Sequence, residues 1–205
     1  MYRSPYANNI SNMSNSEVVS LAKNRFTDDE TQLAIAKHWY KLGRSYLARN
    51  PEITQEAAKV LWDQRGYVLK TQLMASGTYE VSTEEQRRVY HKYFKGKPNR
   101  LYRMMQAFLG SYCYYWEEKK RNNTSPELIQ EIYDDYDFED THSSVYDLRR
   151  FIQHENCPLE VALKIGTLKT PETNREWFSS QYEKIRNEAM LKVAEITKRE
   201  NSISR

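Results

Sequence analysis

The chain has 205 residues, 39% of them hydrophobic and 29% charged, with six glycines, six prolines and a net charge of +3. So little glycine and proline argues against all-β folds, which need many tight turns, and against α/β folds with glycine-rich crossovers. A net charge this small does not by itself indicate a polyanionic partner, and 16 tyrosines with 4 tryptophans exclude a disordered chain.

The first residues, MYRSPYANNISNMSNS, carry no periodic apolar face and no apolar leader core, so residues 1–15 are expected to form a flexible tail. From residue 16 a local signal recurs: a Thr, Ser or Pro, then an acid, then an apolar helical run. It stands at Thr27-Asp28-Asp29, Thr54-Gln55-Glu56, Ser82-Thr83-Glu84, Ser125-Pro126-Glu127 and Pro158-Leu159-Glu160. A hydroxyl accepts from an orphan backbone N–H, proline tolerates the first turn, and the acid complements the helix dipole. The first three starts lie 27 and 28 residues apart.

Between them the text nearly repeats. LAKNRFTDDETQLAIAKH and LARNPEITQEAAKVLWDQ align at Leu21/Leu47, Ala22/Ala48, Asn24/Asn50 and Thr27/Thr54, and LMASGTYEVSTEEQRRVY is a looser third copy. Each unit reads as a helix, a break (Trp39-Tyr40-Lys41; Arg65-Gly66-Tyr67) and a shorter helix. A helical pair this short cannot bury its own apolar face, so neighbours must stack. The expectation is an all-α protein of irregular stacked hairpins, a HEAT-like array or helical bundle, over residues 16–168. The pattern L-A-[KR]-N, short loop, T-x-[DE] resembles leucine-rich-repeat-variant and HEAT-like α-solenoid proteins. That resemblance implies a stack of helices whose usual job is binding protein or nucleic acid, and sometimes catalysis on DNA bases. The Tyr-, Asn- and Lys-rich composition is also similar in style to viral accessory proteins of large tailed phages.

RRVYHKYFKGKPNRLYRMM, residues 87–105, holds seven lysines and arginines and no carboxylate. Helical phase puts Val89, Tyr90, Tyr93 and Phe94 inside and Arg88, His91, Lys92 and Lys95 outside. A second helix is expected from Asn99 to Arg121. Its inner face is Leu101, Met104, Met105, Phe108, Leu109, Tyr112, Tyr115 and Trp116, leaving Tyr114 toward water. Arg88, Lys92, Lys95, Lys97, Arg100, Arg103 and Tyr114 are therefore the candidate basic partner-binding face. The next segment, 127–140, holds seven acids and no base, and Asp134, Asp135, Asp137, Glu139 and Asp140 are the candidate acidic patch. The two blocks either pair with one another or form two separate patches.

From Thr170-Pro171-Glu172 the chain reads as one long helix in residues 169–205, with a stripe of Phe178, Tyr182, Ile185, Ala189, Val193 and Ile196. Glu188–Lys192 and Glu195–Arg199 are expected pairs on its wet side. It either caps the stack or forms a homodimer seam.

No segment carries 18 apolar residues, so no membrane span is expected. The histidines His38, His91, His142 and His154 form no metal-ligand spacing, and every glycine is isolated, so no cofactor, metal or phosphate-loop motif is present. Cys113 and Cys157 sit in no CxxC spacing and read as reduced thiols of a cytoplasmic protein. The reading that follows is a non-enzymatic adaptor or inhibitor that binds a protein partner. The alternative is a nucleic-acid binder using the basic face of residues 87–103.

Overall fold

The computed structural model describes residues 5–109, 124–136, 144–169 and 176–203. Among these residues it is all helical, with eleven α-helices and two short 3-10 turns, and it separates into two compact units, Met1–Asn122 and Asn123–Arg205.

The first unit begins with a 3-10 turn, Ala7–Asn12. Seven helices follow it: α1 (Asn15–Lys23), α2 (Asp29–Lys37), α3 (Lys41–Leu47), α4 (Gln55–Trp62), α5 (Val68–Ser76), α6 (Thr83–Tyr93) and α7 (Leu101–Leu109). Helix α1 packs on α3, α3 on α5 and α5 on α7, while α2 packs on α4, so alternate helices stack in two layers. Alanines at the contacts (Ala22, Ala36, Ala48, Ala57, Ala58) are fully buried and let the backbones approach. Gly43 marks the tightest approach, where a Cβ would come within 2.8 Å of Val18 Cγ1.

The start signals are real, with one shift. Thr54 and Ser82 cap α4 and α6 through their hydroxyls. At α2 the cap is Asp28, whose carboxylate accepts from Thr31 N–H at 2.9 Å. The Thr27 hydroxyl instead donates to the Leu21 carbonyl at 2.6 Å and ties the loop back to α1. An aspartate one residue later competes for the cap and wins because it can accept with full charge. Residues expected to form a tail also contribute structure. Ile10 is buried where the Ala7–Asn12 turn packs on α2, and Ser14 with Glu17 forms a capping box at α1. Ser14's hydrogen bonds hold the Glu17 carboxyl below its ordinary range.

Side-chain amides bind one layer step to the next. Asn50 Nδ2 donates to the carbonyls of Ala22 and Asn24, both at 3.0 Å. Gln32 Nε2 donates to Thr27 O and Glu52 O, and its Oε1 accepts from Thr54 N–H. Gln64 Nε2 donates to Ala36 O at 2.9 Å, and the Ser45 and Gln72 side chains are hydrogen-bonded. Several of these partners stand 26 to 28 residues apart, close to the spacing of the near-repeat.

Before α7 the chain makes a 3-10 turn, Pro98–Arg100, so the helix expected from Asn99 starts at Leu101 instead; proline at the turn's first position suits it. Phe108 is fully buried and meets Tyr90 and Phe94 edge-on at 5.8 and 5.9 Å. Tyr112, Tyr114, Tyr115 and Trp116 lie outside the described residues.

The second unit holds α8 (Pro126–Asp134), α9 (Ser144–Gln153), α10 (Leu159–Gly166) and α11 (Glu176–Ile203). Helix α11 runs 28 residues, about 42 Å, and packs on α9 and α10 through Tyr182, Ile185 and Ala189. Its expected Glu188–Lys192 pair does not form. Glu188 accepts two bonds from Arg149 of α9, both 2.9 Å, and Lys192 pairs with Glu195 at 3.3 Å. A planar guanidinium offers a carboxylate two donors at once, which a lysine cannot. The Glu195–Arg199 pair is present.

Candidate interaction surface

The acidic residues are the simpler case. Asp134 ends α8, where its carboxylate accepts from Gln130 Nε2 and from Lys164 Nζ of α10, each at 2.9 Å. Those two bonds, Gln130's first, hold its carboxyl below the ordinary range. Lys164 also pairs with Glu160 at 2.9 Å, so Asp134 ties α8 to α10. Asp135 is exposed just beyond it. Asp137, Glu139 and Asp140 lie outside the described residues, as does His142.

The basic residues are held in place by the protein's own groups. Arg88 is exposed and pairs with Glu84 at 3.5 Å and Glu85 at 3.7 Å, one turn back on α6. Lys97 Nζ donates to the Lys92 carbonyl at 2.8 Å, and Arg100 donates to the Tyr93 carbonyl at 2.8 Å. Lys95 is exposed in the loop after α6. Arg100 and Arg103 converge on one ring that helical phase alone did not single out. The two guanidinium carbons lie 4.7 and 5.6 Å from the centre of Tyr67, and Arg103 donates to the Tyr67 hydroxyl at 3.1 Å. Tyr67 also meets Tyr93 and Phe94, with ring centres 5.9 and 5.5 Å away.

Local sequence explains the placement of Tyr67. Gly66, with φ of +95°, turns the chain at the end of α4, and Tyr67 then takes the position before the first residue of α5. The only signal for it in the sequence was the break Arg65-Gly66-Tyr67. Its role as a hub depends on α6 and α7 folding back beside it.

Next to this hub lies an open cleft of about 580 Å³ between the end of α4, the start of α5 and one side of α6. Its lining includes Trp62, Asp63, Arg65, Lys70, Glu85 and Lys92. Lys70 is half-buried, 4.7 Å from the centre of the Trp62 ring, and its ammonium donates to the Trp62 carbonyl. Burial pushes the Lys70 ammonium below its ordinary range, against the opposing pull of Glu85 and Asp63. Sequence reasoning missed both Lys70 and Arg65, which stand apart from the basic run.

Comparison with known protein families, with curated proteins and with solved structures finds no match.

Among the described residues, four aromatic side chains of the first unit are turned to solvent: Phe26, between α1 and α2, is 94% exposed, Trp39, at the break between α2 and α3, 70%, Tyr102 on α7 66% and Tyr6 50%. Two buried histidines close turns. His38 Nδ1 accepts from Tyr40 N–H at 3.3 Å, and His154 Nδ1 accepts from Asn156 N–H at 3.1 Å. Cys157 is buried, which pushes its thiol up to about 11. Among the described residues, no group of three or more His, Cys, Asp or Glu side chains could hold a metal ion, and no helix is long and apolar enough to cross a membrane.

Proposed function

We propose that this is a non-enzymatic interaction protein, an adaptor or inhibitor, whose first unit binds an acidic protein partner through the basic surface centred on Tyr67. The observation that carries this reading is the pre-positioning of Arg100 and Arg103. Both guanidiniums rest on one tyrosine, and Arg100 is further tied to a backbone carbonyl, so less side-chain freedom is lost on binding. Arg, Tyr and Trp are also the residue types that dominate binding energy at protein interfaces. The seam bonds between residues 26 to 28 apart support a HEAT-like repeat reading of this unit. The resemblance in composition to phage accessory proteins fits the same role. A homodimer through α11 draws support from Leu191, which is 73% exposed, and sedimentation of the full chain tests it.

A second reading, nucleic-acid binding, is favoured by Tyr102, an exposed ring next in sequence to Arg103; aromatic rings beside cations are what bases stack on. Salt dependence separates the two. About five phosphate contacts on duplex DNA would give a log–log slope near −4.5, whereas a protein interface depends on a few anchors with modest salt sensitivity. Binding to an acidic peptide and to mixed-sequence duplex and single strands is measured at two salt concentrations, for the wild type and Arg100→Glu/Arg103→Glu. The expected result is peptide binding that survives physiological salt and is lost in the double variant. Tight DNA binding at physiological salt, abolished by the same reversal, would reverse the ranking.

A further inference from the structure

We propose that the cleft between α4, α5 and α6 is a carboxylate-binding site that seats an acidic side chain of the partner; this rests on the acidic-partner reading above.

Three cations from three places in the sequence meet there: Arg65 after α4, Lys70 on α5 and Lys92 on α6. Among the described residues none of the three forms an ion pair with a carboxylate, whereas Arg88, one turn from Lys92, has two such partners. Lys70 has one hydrogen bond, to the Trp62 carbonyl, and an ammonium offers three donors. Its stem is half-buried over Trp62, so its charge has given up part of its hydration. The lowered proton affinity of Lys70 agrees with that loss. A desolvated cation gains more from a nearby anion than a fully solvated one, because the effective dielectric is lower. An arriving carboxylate would restore what burial removed.

The size and charge of the cleft narrow the ligand. About 580 Å³ in an open cleft is room for a few residues of an extended segment, with one acidic side chain at the cations. Asp63 and Glu85 also line it, and Glu85 lies 3.7 Å from Arg88. Three cations against two carboxylates leave a small positive excess. That suits a singly charged carboxylate better than a doubly charged phosphate ester or a run of backbone phosphates, which Asp63 and Glu85 would repel. Trp62 and Tyr93 supply apolar wall for the methylenes of a glutamate. The cleft adjoins the Arg100–Tyr67–Arg103 cluster through Tyr93, so one extended acidic segment can span both.

The test is calorimetric titration of the full chain with a synthetic hexaglutamate peptide and with hexathymidylate. It uses the wild type, Lys70→Met, Lys92→Met, Lys37→Met as a control on the exposed side of α2, outside the cleft and the basic face, and Arg100→Glu/Arg103→Glu. Methionine keeps the apolar stem and removes the charge, and circular dichroism checks that each variant is folded. In parallel, acylation of lysines is mapped by mass spectrometry with and without peptide. The expected result is a loss of about tenfold in peptide affinity for Lys70→Met and for Lys92→Met, little change for Lys37→Met, and protection of Lys70 from acylation by the peptide. Equal peptide affinity in wild type, Lys70→Met and Lys92→Met, with loss only in the arginine double variant, would overturn the cleft and leave the acidic-partner reading standing. Absence of peptide binding in every protein would overturn both. Protection of Lys70 by hexathymidylate but not by peptide would overturn the carboxylate assignment in favour of a nucleic-acid ligand.

Discussion

Replacing Asn50 by Ala removes three hydrogen bonds at once. Asn50 is 3% exposed; its Nδ2 donates to Ala22 O and Asn24 O, and its Oδ1 accepts from Glu52 N–H, all at 3.0 Å. At about 1 kcal/mol net for each bond, the loss approaches 3 kcal/mol, reduced where Glu52 N–H can turn to water. For a chain of this size each kcal/mol lowers Tm by about 2–4 °C, so a fall of roughly 6–12 °C is expected by circular dichroism. Asn50→Asp is the sharper variant. It keeps the acceptor for Glu52 N–H but points a carboxylate oxygen at two carbonyls, with its charge largely out of water. At neutral pH it should be less stable than Asn50→Ala. An Ala variant within about 1 °C of wild type would show that these bonds between α1 and the turn after α3 add little, against the estimate from three lost bonds. An Asp variant milder than Ala would refute the donor role assigned to Nδ2.

Phe108→Ala should destabilise by about 3–5 kcal/mol in urea melts, while Tyr102→Ala on the same helix should cost almost nothing; the reverse order would mean that the phase of α7 is wrong. Burial raises the Asp147 carboxyl above its ordinary value, against the pull of Arg150. The native state therefore holds that proton more tightly than the unfolded chain, and stability is lost as pH rises from about 4 through the raised value. Urea midpoints at pH 4 and pH 7 should accordingly fall further for wild type than for Asp147→Asn. In a Cys113→Ser background, Cys157 should resist a disulfide reagent at pH 8 in the native state and react once unfolded, because it is buried and its thiol is pushed up to about 11.

Much of the helical layout was readable from short-range chemistry. Thr54, Ser82 and Ser125 cap helices where hydroxyl and acid spacing said they would, and the breaks after α2 and α4, at 38–40 and 63–67, overlap the expected 39–41 and 65–67. Even the misplaced cap at Thr27 was an error of one residue. The inner and outer faces of α6 also largely follow from period: Val89, Tyr90 and Phe94 are buried while Arg88, His91, Lys92 and Lys95 are exposed, and Tyr93, expected inside, is only half-buried. The candidate surface was only half legible. The cations of residues 87–103 stood out as a run, but Tyr67, Arg65 and Lys70 carried no signal beyond a glycine break.

What the sequence determined by itself was local: which segments become helices, where they start, and which side of each is apolar. Capping and amphipathic phase act over three or four residues, so a linear reading captures them. What only the tertiary structure decided was which distant residues meet. Arg149 takes Glu188 from Lys192 because α9 lies against α11, and two arginines of the basic run settle on Tyr67 because α5 packs on α7. Lys70 and Lys92 share a cleft for a similar reason, though 22 residues of chain separate them. Those encounters depend on how the helices stack, and the geometry of the stack is a sum over many contacts that no single stretch of sequence contains.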